Sequence, residues 1–141
     1  MAAQKEQKTM SKIYWAGAYI AFGVPFLGLE LLGILYRISP DNIDLQQNLR
    51  FIILILHIVG GLSGGFSVVL KSSVDWRQGG LVTGVMAYVV EQIVHTVLYG
   101  WGSVGDVFTM TALILSSILG AFISEKRLNK NKDSTPTSNN T

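Results

Sequence analysis

Residues 51–70 read FIILILHIVGGLSGGFSVVL, a run whose one titratable side chain is His57 and whose second half carries Gly60, Gly61, Gly64 and Gly65. An α-helix rises about 1.5 Å per residue, so about 20 apolar residues cross the hydrocarbon layer of a bilayer. This run has that length. Working outward, residues 13–36, 79–99 and 107–123 are runs of the same kind. The links between the four are too short to hold another domain, and short links favour antiparallel neighbours. The expected fold is an all-α integral membrane protein, an antiparallel bundle of four transmembrane helices. Residues 1–12 form an N-terminal segment, 13–125 the transmembrane domain and 126–141 a polar tail.

Composition agrees. Of 141 residues, 49% are apolar and 14% charged, against about 25% charged in an ordinary soluble domain. There is no cysteine, which excludes disulfides, thiolate metal sites, iron–sulfur clusters and thiol catalysis. A net charge of +2 and a pI near 9.0 do not point to nucleic acid, because the basic residues border apolar runs instead of forming a patch. Lipid headgroups are the expected counterpart.

Orientation is read from the basic residues. Lys5, Lys8, Lys12, Lys71, Arg77, Lys126, Arg127, Lys130 and Lys132 fall on one side of the runs, and only Arg37 and Arg50 on the other. Both termini are therefore expected in the cytoplasm, in a multi-pass protein of the cell membrane. Tyr14, Trp15 and Trp76 at one boundary, and Tyr36, Tyr99 and Trp101 at the other, match the interfacial preference of amphipathic rings. The first run is too long for a cleavable signal and is expected to remain as a span. Ser39-Pro40-Asp41 reads as a helix start, placing the beginning of the second helix near Pro40. The tail, rich in Ser, Thr and Asn, is expected to be disordered.

Transmembrane helices meet through small and polar residues. Steps of three and four give inward stripes of Ala16, Tyr19, Gly23, Phe26, Glu30 and Gly33; of His57, Gly61, Gly64 and Val68; of Gly80, Gly84, Tyr88, Glu91 and His95; and of Thr109, Ala112, Ser116 and Gly120. The segments GGLSGG at 60–65 and GGLVTG at 79–84 are read as the packing surfaces through which the second and third helices approach each other. Pro25 frees the carbonyl of Ala21 and predicts a kink.

Glu30, His57, Glu91 and His95 lie inside spans, where a charge costs on the order of 3 kcal/mol. Counted from the span midpoints they share one layer. Glu91 and His95 stand one turn apart, the spacing that lets a carboxylate meet an imidazole. The group can form a structural hydrogen-bond network, relay protons during transport, or bind a divalent metal. A b-type haem held by His57 and His95 is a further reading. No nucleophile triad, phosphate loop or dinucleotide fingerprint is present.

Glu30 followed by Gly33 resembles the small multidrug resistance transporters, four-helix proteins with a functional glutamate in their first helix. The match is confined to that stretch. Glu30 lies late in its span, and the charge bias imposes a single orientation where some members of that family insert both ways, so no family is assigned.

With almost nothing outside the membrane, the chain is expected to be a small non-catalytic subunit of a larger membrane complex, such as a membrane oxidoreductase, packing through its glycine faces. The alternative is a proton- or metal-coupled small transporter using the intramembrane Glu and His residues. Expected partners are the lipid bilayer and either other membrane subunits or further copies of the chain.

Overall fold

The computed structural model describes residues 2–36, 43–72, 74–100 and 107–133. They form four helices, α1 (Ala2–Tyr36), α2 (Ile43–Lys71), α3 (Trp76–Tyr99) and α4 (Val107–Asp133), with no strand among the described residues. Each contains a stretch long and apolar enough to cross a membrane: Thr9–Ile34, Leu49–Lys71, Trp76–Leu98 and Val107–Asn131. Large apolar side chains point away from the bundle, with Val97 77% and Phe108 75% exposed, which suits acyl chains and not water. The chain is thus read as a multi-pass membrane protein. The start expected near Pro40 lies outside the described residues, as do 134–141. Residues 126–133, expected to be disordered, continue α4 as helix.

Several hydroxyl groups donate to the carbonyl one turn earlier, a partner that lipid cannot supply, whereas those of Ser117 and Ser124 are buried without a partner among the described residues. Ser63 donates to the Val59 carbonyl at 2.8 Å, Ser67 to Ser63 at 2.8 Å, Thr83 to Gly79 at 2.7 Å and Thr111 to Val107 at 2.8 Å. The turn into α3 is capped by Asp75, whose carboxylate accepts from the amides of Arg77 at 2.8 Å and Gln78 at 3.4 Å. At the other end of α3, Gly100 takes φ +86° and donates its amide to the Thr96 carbonyl at 3.0 Å. A side chain there would carry the left-handed penalty that glycine escapes.

Consecutive helices run antiparallel, but the bundle does not close in chain order. The most extensive contact joins α2 to α4, followed by α1 with α2 and α3 with α4; α2 and α3 meet less extensively. The ring therefore reads α1, α2, α4, α3, with α2 and α3 touching across its middle.

The glycines explain this order and correct the expected one. A Cβ on Gly60 would collide with the Ala21 carbonyl, and one on Gly64 would lie 2.7 Å from Ala21 Cβ, so this pair faces α1. A Cβ on Gly61 would lie 2.9 Å from the Leu113 carbonyl oxygen and one on Gly65 2.7 Å from the Ser117 carbonyl carbon, so that pair faces α4. Gly80 and Gly84 face α4 as well, the latter with Ile114 Cα 2.7 Å from its would-be Cβ. These six glycines therefore face α1 or α4 instead of joining α2 to α3; within the two segments it is Gly79 that faces α2, with Val69 Cγ2 3.0 Å from its would-be Cβ. Adjacent residues point about 100° apart on a helix, so the doubled glycines furnish α2 with two separate close-packing faces. Gly60 rests against the very carbonyl that Pro25 leaves without its helical amide.

The stripe expected on α1 is also corrected. Ala16, Tyr19, Glu30 and Gly33 are exposed, and nothing lies within 4 Å of a Cβ built on Gly23 or Gly33. The buried face is Gly17, Ala18, Ala21 and Pro25, on the roughly opposite side of the helix.

Candidate functional site

Away from the glycine contacts, toward the end where α1 leads to α2 and α3 to α4, the helices part around a cavity of about 150 Å³. Its lining includes Glu30 from α1, His57 from α2, Glu91 and His95 from α3, and Thr109 from α4. All four titratable residues singled out in the sequence therefore border one space. They do so unequally. His57 and Glu91 are each 3% exposed, His95 is half-buried and Glu30 is exposed at the rim, so the inward placement expected for Glu30 does not hold.

The centre of the site is a contact between helices. His57 Nε2 lies 3.0 Å from Glu91 Oε1, and His57 Nδ1 lies 2.7 Å from the Ile53 carbonyl oxygen one turn earlier. A carbonyl only accepts, so Nδ1 carries a proton. The Nε2–Oε1 contact is then a hydrogen bond only if one further proton lies between the two atoms, donated by a protonated Glu91 to neutral His57 or by charged His57 to the carboxylate. Both forms contain the same number of protons and are neutral overall. A pair of zero net charge is what a low-dielectric interior tolerates.

Glu91 Oε2 is buried and has no hydrogen-bond partner among the described residues. An unused carboxylate oxygen beside a shared proton is a second place for a proton to sit. The rest of the lining is apolar: Phe22 and Phe26, their ring centroids 5.3 Å apart, with Pro25, Leu29 and Ile53.

The Glu91–His95 spacing on one helix is the signal available in the sequence, yet the partner that defines the site is His57 across the bundle. Thr109 and Phe26 fall on the inward stripes read from helical spacing and do line the cavity; the Ile53 carbonyl and Phe22 carry no signal, because a backbone oxygen and an apolar ring look the same wherever they face.

Cofactor readings receive different support. His57 spends both ring nitrogens within the chain, which leaves none for the iron of a haem shared with His95. Among the described residues no group of three or more His, Asp or Glu side chains is arranged to hold a metal ion. Comparison of the chain with protein-family models, with curated proteins and with solved structures finds no match.

Proposed function

We propose that the chain is a small proton-coupled transporter of the cell membrane, with both termini cytoplasmic and the His57–Glu91 pair as its proton-holding centre. The observation that carries this reading is the buried Nε2–Oε1 bond at 3.0 Å, made by two groups that also border a cavity of about 150 Å³. A purely structural bond would be served by a dry, filled site. Here an acid and an imidazole with one shared proton adjoin open space, while Glu30 and His95 border the same space and supply further stations for a proton. The basic residues gathered at the other end of the bundle support the orientation.

The coupling follows from charge. The pair is neutral with one shared proton. Gain of a proton makes it cationic and loss makes it anionic, and either state is costly in the interior. A solute whose charge offsets the change lowers that cost, so proton and solute occupancy become linked.

The test uses proteoliposomes with an entrapped pH-sensitive dye and an imposed potassium diffusion potential. Proton entry above that of protein-free vesicles is expected for the parent and is expected to vanish in Glu91→Gln. A parent without such entry, or a variant that retains it, contradicts the reading.

The subunit reading keeps one observation in its favour. The face of α1 bearing Ala16, Gly23 and Gly33 packs on nothing among the described residues, and small residues on an open helix face are what a neighbouring helix would use. Gentle solubilisation that yields a single polypeptide would remove this alternative.

A further inference from the structure

At the end of the bundle opposite the cavity, α2 hands over to α3 beside the last turns of α4. A groove of about 370 Å³ opens there, bordered by Val69, Lys71, Ser72, Glu125, Leu128 and Asn129. Its depth is marked by aromatic packing: Trp76 meets Phe122 edge-on with centroids 5.1 Å apart, and the Arg77 guanidinium lies 5.2 Å from the Trp76 ring centroid. A tryptophan with a basic neighbour is the arrangement of a membrane–water boundary. The groove therefore lies at headgroup level, with apolar side chains toward the bilayer.

The groove carries charges of both signs. Lys71 and Glu125 border the same groove, yet neither forms an ion pair among the described residues. Unpaired with each other, they present opposite charges to the same groove. The Ser72 hydroxyl donates to the Val68 carbonyl at 2.6 Å, so its oxygen is left as an acceptor, and Asn129 adds an amide. The space is on the order of ten water-sized groups.

We infer that this groove binds the headgroup of an aminophospholipid, with the phosphate at Lys71 and the primary ammonium at Glu125. The acyl chains leave along Val69 and Leu128. A choline headgroup presents methyl groups where Glu125 requires N–H donors, and a glycerol headgroup presents no cation at all. Both are disfavoured by the carboxylate, although all three lipids carry the phosphate that Lys71 attracts. The inference rests on insertion in a bilayer and is independent of the transport reading.

The experiment is native mass spectrometry of the full chain released from detergent micelles, with dioleoyl phosphatidylethanolamine, phosphatidylcholine and phosphatidylglycerol added in turn. Phosphatidylethanolamine is expected to be retained about fivefold over the other two, the ratio of one partly exposed ion pair. Glu125→Gln is expected to level ethanolamine with choline, and Glu125→Asp, which keeps the charge, to preserve the preference. Lys71→Gln is expected to weaken all three. Equal retention of the three lipids by the parent overturns the inference. So does a preference for phosphatidylglycerol, the signature of diffuse attraction by the basic end, or an ethanolamine preference that survives Glu125→Gln.

Discussion

Where α2 approaches α3 in the chain, a Cβ on Gly61, Gly65, Gly80 or Gly84 would run into the backbone of α4, whereas toward the opposite end the same helices part around a cavity of about 150 Å³. The first region brings backbone close to backbone, whereas the second is lined by side chains around open space. Close packing without a hydrophobic driving force depends on van der Waals fit, so the glycine half acts as a clamp that positions α2 against its neighbours. The polar half uses that rigidity. His57 lies one turn before Gly61 on the same face, and its reach to Glu91 depends on how α2 is rotated by the clamp. Tightness in one half therefore makes openness possible in the other.

The largest effect is expected from breaking the clamp. Gly65→Val places a branched side chain against the Ser117 backbone, and overpacking with nowhere to go costs about 3 kcal/mol or more. A thermal melt in detergent, followed by circular dichroism, should show a large fall in the midpoint or no cooperative transition. An unchanged midpoint would mean that α2 and α4 are not in contact there.

Next comes the polar half. Glu91→Leu strands His57 Nε2 in the interior and is expected to cost about 1–3 kcal/mol. Glu91→Gln keeps a hydrogen-bonding group at the position and is expected to stay within about 1 kcal/mol of the parent. Equal melting of the two variants would show that the contact contributes nothing to holding α2 on α3. Gly100→Ala, at φ +86°, should cost about 1–2 kcal/mol and leave proton movement unaltered, which the vesicle assay would report.

The smallest effect has the opposite sign. Gly23 sits in α1 with nothing within 4 Å of the position a Cβ would occupy, so Gly23→Ala should raise stability by about 0.5–1 kcal/mol through the helix propensity of alanine. The contrast between Gly23 and Gly65 is the sharpest form of the comparison, since the two residues are identical in type and lie in helices of similar apolarity. A marked loss of stability in Gly23→Ala would mean that another helix covers that face.

The four apolar runs are legible in the sequence because length and apolarity are local properties of the chain. So are His57, Glu91, Glu30 and His95, because ionisable groups are conspicuous among leucines. Helix rotation is not. On α1 both the set Ala16, Gly23, Gly33 and the set Gly17, Ala21, Gly28 obey helical spacing, and Glu30 favours the wrong one because an acid inside a span is expected to turn inward. It stands instead at the cavity rim. The ring order is hidden for a related reason: on α2 the doubled glycines satisfy two neighbours equally well, and short links suggest that chain order and spatial order coincide.

The most direct test of the proton shared by His57 and Glu91 is the ¹⁵N spectrum of His57 in the parent and in Glu91→Gln, recorded in lipid bilayers. The Nε2 resonance is expected to move on substitution while Nδ1 remains protonated and bonded to the Ile53 carbonyl. A His57 spectrum identical in the two proteins would contradict this, since the imidazole would then not share a proton with Glu91.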